Sequence, residues 1–424
     1  PWRWGGQAIT DPETVADAAL VSCWAACAPF LANTSPALYN IGEEAGGVGP
    51  RWGYLQPAWE RVLASGDEEK LILPVFQDSA YMEYRKGTQR ALSATRHARD
   101  FTNLHTKAVV DGLLVEATAM QSLSGEGATA WHQVIPFAEF AVLAPSSTRT
   151  AIRFELNLPH HALERAAAEG ARCHCCGKRY TEDAVHHVLT VPKGNSGGNR
   201  YMSHNKLLHQ VAVICEEAGC TISKRCAGLL GPDPARGPRH RGDKIMDISI
   251  VGLRNNVTRV LGDVRITHPI GGSGAVAGMP QPPCAVDVKG AAAAKAEEEK
   301  ITWYGGAAEK RSMAFVAMCV ETYGRYCQAF LAFLKELADK GTSKVATLNH
   351  VRIAGDAPES KASYSRRLYN RYLRLLSLTR VRTIAERIDG AAITDARATA
   401  AEGRVIVQRA LFQDAEQHGL PALG

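Results

Sequence analysis

The sequence has no hydrophobic run long enough to cross a bilayer. Its most apolar N-terminal stretch, Ala18 to Ala32, is interrupted by Ser22 and Pro29 and falls short of the ~20 residues that a spanning helix needs. No signal peptide can be read either, so a soluble, intracellular protein with no membrane partner is the expected class. Charge of one sign is not in large excess: 49 Lys and Arg stand against 43 Asp and Glu, a net +6, which permits an acidic partner without requiring one. The eleven cysteines are an odd number, and three of them crowd into positions 173 to 176. That pattern fits reduced thiols and a metal site better than a secreted disulfide framework. No internal repeat is found. Apolar residues are plentiful, 46% of 424, enough for two or three cores at roughly 150 residues per domain, and wholesale disorder is excluded. The first residue is Pro1, as expected of a piece of a longer chain.

Residues 1–157 read as helices joined by Gly/Pro-rich turns. Thr10 or Asp11 can cap the first helix with Pro12 at its first position, and Leu20, Trp24, Cys27 and Leu31 recur at helical spacing. Further helices are predicted around Gln56 to Ala64 and around Ala80 to Met120. No catalytic constellation stands out in this half, which reads as a packing or positioning region. Cys, His, Gly and strand-like runs then take over, so the chain divides into a Cys/His segment at 158–200, a mixed α/β region at 201–345 and a basic helical tail at 346–424. Gly271 to Pro283 reads as a loop. An Ala/Glu/Lys helix follows from Ala291 to about Tyr304, then a strand from Ala314 to Val320 that runs into an amphipathic helix carrying Tyr323, Cys327, Phe330, Leu334 and Leu337. The fold class expected is α+β, with a small mixed sheet flanked by helices.

Cys173 and Cys176 have the C-x2-C spacing that lets two thiolates from one turn bind the same Zn²⁺, and His187 or His186 would supply a third ligand. Val191 stands where a fourth ligand would close the site. His174, Cys175, His186 or His204 are substitutes, and a knuckle that packs without metal is the alternative.

Two runs of period-2 alternation, Ile245 to Val251 and Val260 to Thr267, flank Asn255-Asn256 and predict a β-hairpin. With the turn centred on Asn255, residues whose numbers sum to 510 face each other, and Asp247 stands opposite Asp263. Opposed carboxylates repel, and a divalent cation such as Mg²⁺ is the natural counter-charge because hard cations prefer carboxylate oxygen. An exposed hairpin whose acids point into water is the plainer alternative.

Three further features can serve such a site. The helix after Ser203-His204-Asn205 has an apolar stripe of Leu207, Val211, Ile214 and Ala218, and Glu217 lies about 60° round from Ile214, where it can offer a third carboxylate. Lys300 and Tyr304 share a helix face, and a lysine near two acids can stabilise charge on a phosphate. Arg366, Arg367, Arg371, Arg374, Arg380 and Arg382, interleaved with Tyr369 and Tyr372, suit phosphate contact and stacking, as well as they suit a solvated basic face.

Taken in order, these features resemble the region that follows the reverse transcriptase core in non-LTR retrotransposons with a restriction-like endonuclease, especially algal-type elements. The resemblance covers most of the chain. Its carriers are Ser122-Leu123-Ser124-Gly125-Glu126-Gly127-Ala128-Thr129-Ala130-Trp131, then Cys173-x2-Cys176 with Asp183 and His187, Gly197-Gly198, and His204-Asn205. Asp247-Ile248, Asp263-Val264-x-Ile266-Thr267-His268-Pro269, Lys300 with Tyr304, and Phe315-Val316 to Glu321-Thr322-x-Gly324-Arg325 complete them. It implies a thumb or linker region, a zinc-knuckle-like segment and a PD-(D/E)XK nuclease domain that nicks target DNA in the nucleus, so that the 3′ end primes reverse transcription of the element RNA. Asp247 and Asp263 would hold Mg²⁺, Glu217 would assist, and Lys300 would neutralise developing charge. The polymerase would lie upstream, since no Tyr-x-Asp-Asp-type motif occurs here. Met246, Ser203, Val191 and Arg265 depart from the family pattern, and a decayed nucleic-acid-binding module of the same origin is the alternative.

Overall fold

The computed structural model describes residues 88–134, 142–173, 176–180, 184–190, 198–231, 245–270, 288–348 and 360–417, with Arg61 and Val286 beside them. The helix expected near Thr10 and the Gly271 to Pro283 loop lie outside these residues, as does the Gln56 to Ala64 helix apart from Arg61. The chain forms two compact units, Pro1–Leu113 and Leu114–Gly424. In the first unit helix α1 (Thr88–Val110) buries Phe101 and Ala108, seven residues apart and so on one helical face.

The second unit runs α2 (Leu114–Leu123), α3 (Pro145–Glu155), α4 (His161–Ala168), α5 (Ala184–Thr190), α6 (Gly198–Glu217), β1 (Thr221–Cys226), β2 (Met246–Val251), β3 (Val260–Thr267), α7 (Ala291–Glu309), β4 (Ala314–Glu321), α8 (Gln328–Leu348) and α9 (Lys361–Gln417). The four strands form one mixed sheet in the order β1-β2-β3-β4, antiparallel between the first three and parallel between β3 and β4. Helix α7 is the crossover that a parallel pair requires.

The hairpin register is the one expected. Ile248 faces Gly262, Ser249 faces Leu261 and Ile250 faces Val260, so every pair sums to 510. Period-2 patterning fixes this register because a slip of one residue would turn Ile248 and Ile250, both fully buried, onto the wrong face. Those two join Leu207, Val211 and Ile214 of α6 in one core, together with Phe330, Leu334 and Leu337 of α8. Leu261 and Phe315, of opposite parity, pack with Tyr304 and Ala308 of α7. The sheet is therefore covered on both faces, by α6 and α8 on one and by α7 on the other. Strand β1, Thr-Ile-Ser-Lys-Arg-Cys, went unpredicted: its burial is low throughout, as befits an edge strand, and it has no apolar alternation to read.

The segment expected as a basic tail is the spine of the unit over residues 361–392. Leu368, Tyr372, Leu373 and Leu376 of α9 join the sheet core. One to two turns on, Leu378, Val381 and Ala385 pack against Trp131 and Ala151, and Ile384, Ile388 and Ala391 against Phe154, Leu163 and Leu189. At roughly 1.5–3 kcal/mol for each large apolar side chain buried, this stripe binds three clusters to one helix.

Between β4 and α8 the chain turns through Tyr323 and Cys327, which therefore precede the helix instead of forming its first turn. Gly324 has φ +109, and a Cβ there would stand 2.9 Å from the Ala128 backbone. Only glycine permits both the φ and the approach. The approach docks the Ser122 to Trp131 stretch: Arg325 donates to Gln121 O and Ser124 Oγ, and Ser377 Oγ donates to Ala128 O at 2.9 Å.

Candidate functional site

Asp247 and Asp263 lie at the end of the β2–β3 ladder, one residue beyond its last pair. There the strands part, and the Val264 N–H donates to Asp247 Oδ2 at 2.7 Å, so that a carboxylate takes the place of a strand partner. The same oxygen is 2.9 Å from His204 Nε2, which α6 brings to the site because Leu207 and Val211, one and two turns on, are locked in the core. Asp263 is buried, and its Oδ2 is 2.5 Å from Lys300 Nζ on α7. The lysine also sits 5.4 Å over the Tyr304 ring, a face-sharing set by their i, i+4 spacing. Each flanking helix thus sends one base to one acid.

The electrostatics follow from burial and proximity. Loss of water raises the Asp263 pKa above the ordinary aspartate value, Lys300 opposes this, and the neighbouring Asp247 charge adds to the rise. The hydrogen bond to Asp247 raises the His204 pKa, against its burial, and Asp263 contributes a smaller push in the same direction. Two acids within electrostatic reach, one of them poorly solvated, thus face two bases, one at contact distance from each.

Glu217 does not join them. It ends α6, thirteen residues after His204 and so roughly 20 Å along the helix at 1.5 Å per residue, and its carboxylate meets Arg371 Nη1 at 2.5 Å. Its angle round the helix was read correctly as near the buried stripe, but its height along the axis puts it at the wrong end. His204, from the same helix, is the residue whose part at the acids was missed. Its signal was present, as a histidine one turn before the buried Leu207.

A second cluster gathers the Cys173, Cys176 and His187 ligand atoms within 4.8 Å of one another. Cys176 Sγ is 3.3 Å from His187 Nε2. Cys173 is buried against Leu163 and Leu189, which fixes the turn, and α5 presents His187. His186, the alternative third ligand, points elsewhere: its Nδ1 is 2.8 Å from His268 Nε2, and His268 Nδ1 is 2.6 Å from Thr322 Oγ1. Adjacent helical residues stand 100° apart, so only one of the pair can face the thiols. Among the described residues this is the one set of three such ligands so close together. His174, Cys175, Asp183 and Val191 lie outside the described residues.

The basic residues of α9 are not one nucleic-acid face. Arg380 is fully buried, ion-paired to Glu155 Oε1 at 3.1 Å, and it also donates to Thr322 O and Ala128 O. Arg371 is held by Glu217, and Arg382 donates to Val142 O at 2.9 Å. Arg374 is half-buried, whereas Arg366 and Arg367 are exposed. Counting arginines in sequence could not separate these, because the stripe that faces the core passes through Arg380. No described helix is long and apolar enough to span a membrane. Comparison of the whole chain with family models and with curated proteins returns no match.

Proposed function

We propose that the Leu114–Gly424 unit is a Mg²⁺-dependent DNA endonuclease domain of the PD-(D/E)XK kind, from the post-polymerase part of a retroelement protein. The observation that carries this reading is that Asp247 and Asp263 stand one residue past the last pair of two central strands, each within the other's electrostatic influence, with Lys300 against Asp263. The donor set suits the ion: Mg²⁺ is bound through one or two carboxylates and keeps several waters for which a substrate phosphate can exchange. Asp247 and Asp263 would hold it, and burial raises the Asp263 pKa in spite of the Lys300 contact. When bound, the ion polarises a scissile phosphate and lowers the pKa of water.

The chain's own residues have separable tasks. His204 and the Val264 N–H fix the Asp247 carboxylate through Oδ2. Lys300, packed over Tyr304, holds an ammonium beside the acids, where it would stabilise charge gathering on phosphate oxygens. Arg265 does not take that task, since its guanidinium pairs with Glu299. In the full element such nicks would prime reverse transcription of the element RNA on nuclear DNA by an upstream polymerase. The reading is tested by conversion of supercoiled plasmid to the nicked circle. Nicking that needs Mg²⁺ and stops with EDTA is the expected result, and its absence at any metal concentration would overturn it.

A second reading, a decayed nucleic-acid-binding module, is favoured by one observation: each aspartate already has a base at contact distance. Such a site can persist without a cation.

The Cys173, Cys176 and His187 group has the ligand types of a zinc site. The purified chain is expected to carry stoichiometric zinc and, after exchange to Co²⁺, a thiolate charge-transfer band. Cys176→Ser should abolish both. Metal content unchanged in that variant would contradict the assignment.

A further inference from the structure

Helix α7 carries more than its lysine to the acidic site. At 100° per residue Trp303 stands about 60° round from Lys300 and less than one turn along the axis. Trp303 is 57% exposed, and Ile301 on the other flank of Lys300 is 47% exposed. The indole meets the Tyr304 ring edge-on at 6.4 Å, and Tyr304 in turn packs on Phe315 of β4 at 5.4 Å. Trp303 is thus anchored to the sheet through Tyr304 while most of its surface meets solvent. Beyond it come Glu309, Lys310 and Arg311, all exposed, and Arg259 at the neighbouring start of β3 is exposed too, while the exposed Glu299, one turn before Trp303, is paired with Arg265. A lone exposed apolar residue is ordinary. The largest aromatic side chain, packed edge-on against Tyr304 and beside the lysine of a site suited to phosphate, fits a ligand with both an apolar face and negative charge.

We infer that Trp303 is a positioning residue that stacks on an unpaired nucleobase next to the phosphate at Asp247 and Asp263. The inference rests on the nuclease reading and deepens it by naming the substrate form, DNA that is single-stranded or distorted at the cut. A base within an intact duplex has both faces covered by its neighbours and offers none to an indole. Stacking on an aromatic side chain accepts any base, so the contact would orient the strand without selecting its sequence.

The test is binding of a labelled single-stranded oligonucleotide to the full chain in EDTA, where no metal-dependent cleavage intervenes. Wild type, Trp303→Ala and Trp303→Phe are compared on the ordinary oligonucleotide and on one with abasic positions, which keeps the phosphates and removes the bases. Trp303→Ala is expected to bind the base-containing strand roughly 5- to 150-fold more weakly, and Trp303→Phe within a few-fold of wild type. All three should bind the abasic strand alike. Equal binding of wild type and Trp303→Ala to the base-containing strand would overturn the inference, as would an equal loss on the abasic strand, which would mark a fold defect or a protein-binding patch. Failure of the nuclease reading shows elsewhere, as nicking that survives Asp247→Asn, and leaves this comparison to be judged by itself.

Discussion

Arg380→Met should destabilise the Leu114–Gly424 unit by about 3–5 kcal/mol, the usual result of removing one partner from a buried ion pair. The guanidinium and the Glu155 carboxylate are both fully inaccessible. Glu155 also accepts from Trp131 Nε1 at 2.8 Å and lies 3.0 Å from His132 Nε2. Without Arg380 the Thr322 and Ala128 carbonyls lose a donor, and Glu155 keeps its desolvation cost while losing its main cation. Burial alone would raise the Glu155 pKa, but the His132 hydrogen bond, Arg380 and Trp131 together outweigh it and hold the value below the ordinary one. The sign of the pH effect follows: a depressed folded-state pKa contributes stability above the unfolded value of about 4.3, and that stability is lost as pH falls through the folded value. Urea unfolding of wild type and Arg380→Met at pH 7 and at pH 3 checks both statements. A small loss at pH 7, below about 1 kcal/mol, would show that the cluster relaxes easily. The double variant Arg380→Met with Glu155→Leu should recover part of the loss, since hydrophobic replacement of a buried pair is often neutral or better.

The second large effect is catalytic. Lys300→Met should lower the nicking rate by about 10²–10³-fold, the range for removing one group that stabilises charge in a transition state. Lys300→Arg should retain more activity, because the charge persists even though its geometry changes. Removing the lysine also takes away the principal cation opposing the upward pKa shift of Asp263, so the acid should protonate more readily and the pH–rate profile of Lys300→Met should move to higher pH. A structural role alone would lower the melting temperature and leave the profile in place. Measurement of rate against pH, with melting temperature as control, separates the two.

The hairpin that carries the two acids was legible because a hairpin translates sequence into geometry with little freedom. Alternation assigned the faces, Asn255 located the turn, and the sum rule gave the register, whose last pair, Ile248 with Gly262, stands one residue before Asp247 and Asp263. Lys300 and Tyr304 followed from helical spacing alone, although nothing in the sequence said that α7 would cross this face of the sheet. That fact comes from the parallel pairing of β3 with β4, which is a tertiary choice. Glu217 misled for a related reason: angular position round a helix is local, whereas distance along it matters only once the partner strand is in place. The arginines of α9 show the same limit. A basic helix with aromatics between its charges looks like a surface, yet Leu368, Tyr372 and Leu376 define a stripe that carries Arg380 inward, where Glu155, more than 200 residues away in sequence, meets it. The glycines of the Ser122 to Trp131 stretch belong here too: Gly127 has φ +78 and stands against Leu373, a contact that sequence spacing could not suggest.

The most direct test of the central claim is nicking of supercoiled plasmid under Mg²⁺ by wild type beside Asp247→Asn. Asparagine keeps the shape and can still accept from the Val264 N–H, so the fold should persist. The account predicts Mg²⁺-dependent nicking by the wild type and its loss in the variant. Nicking by Asp247→Asn at the wild-type level would contradict it.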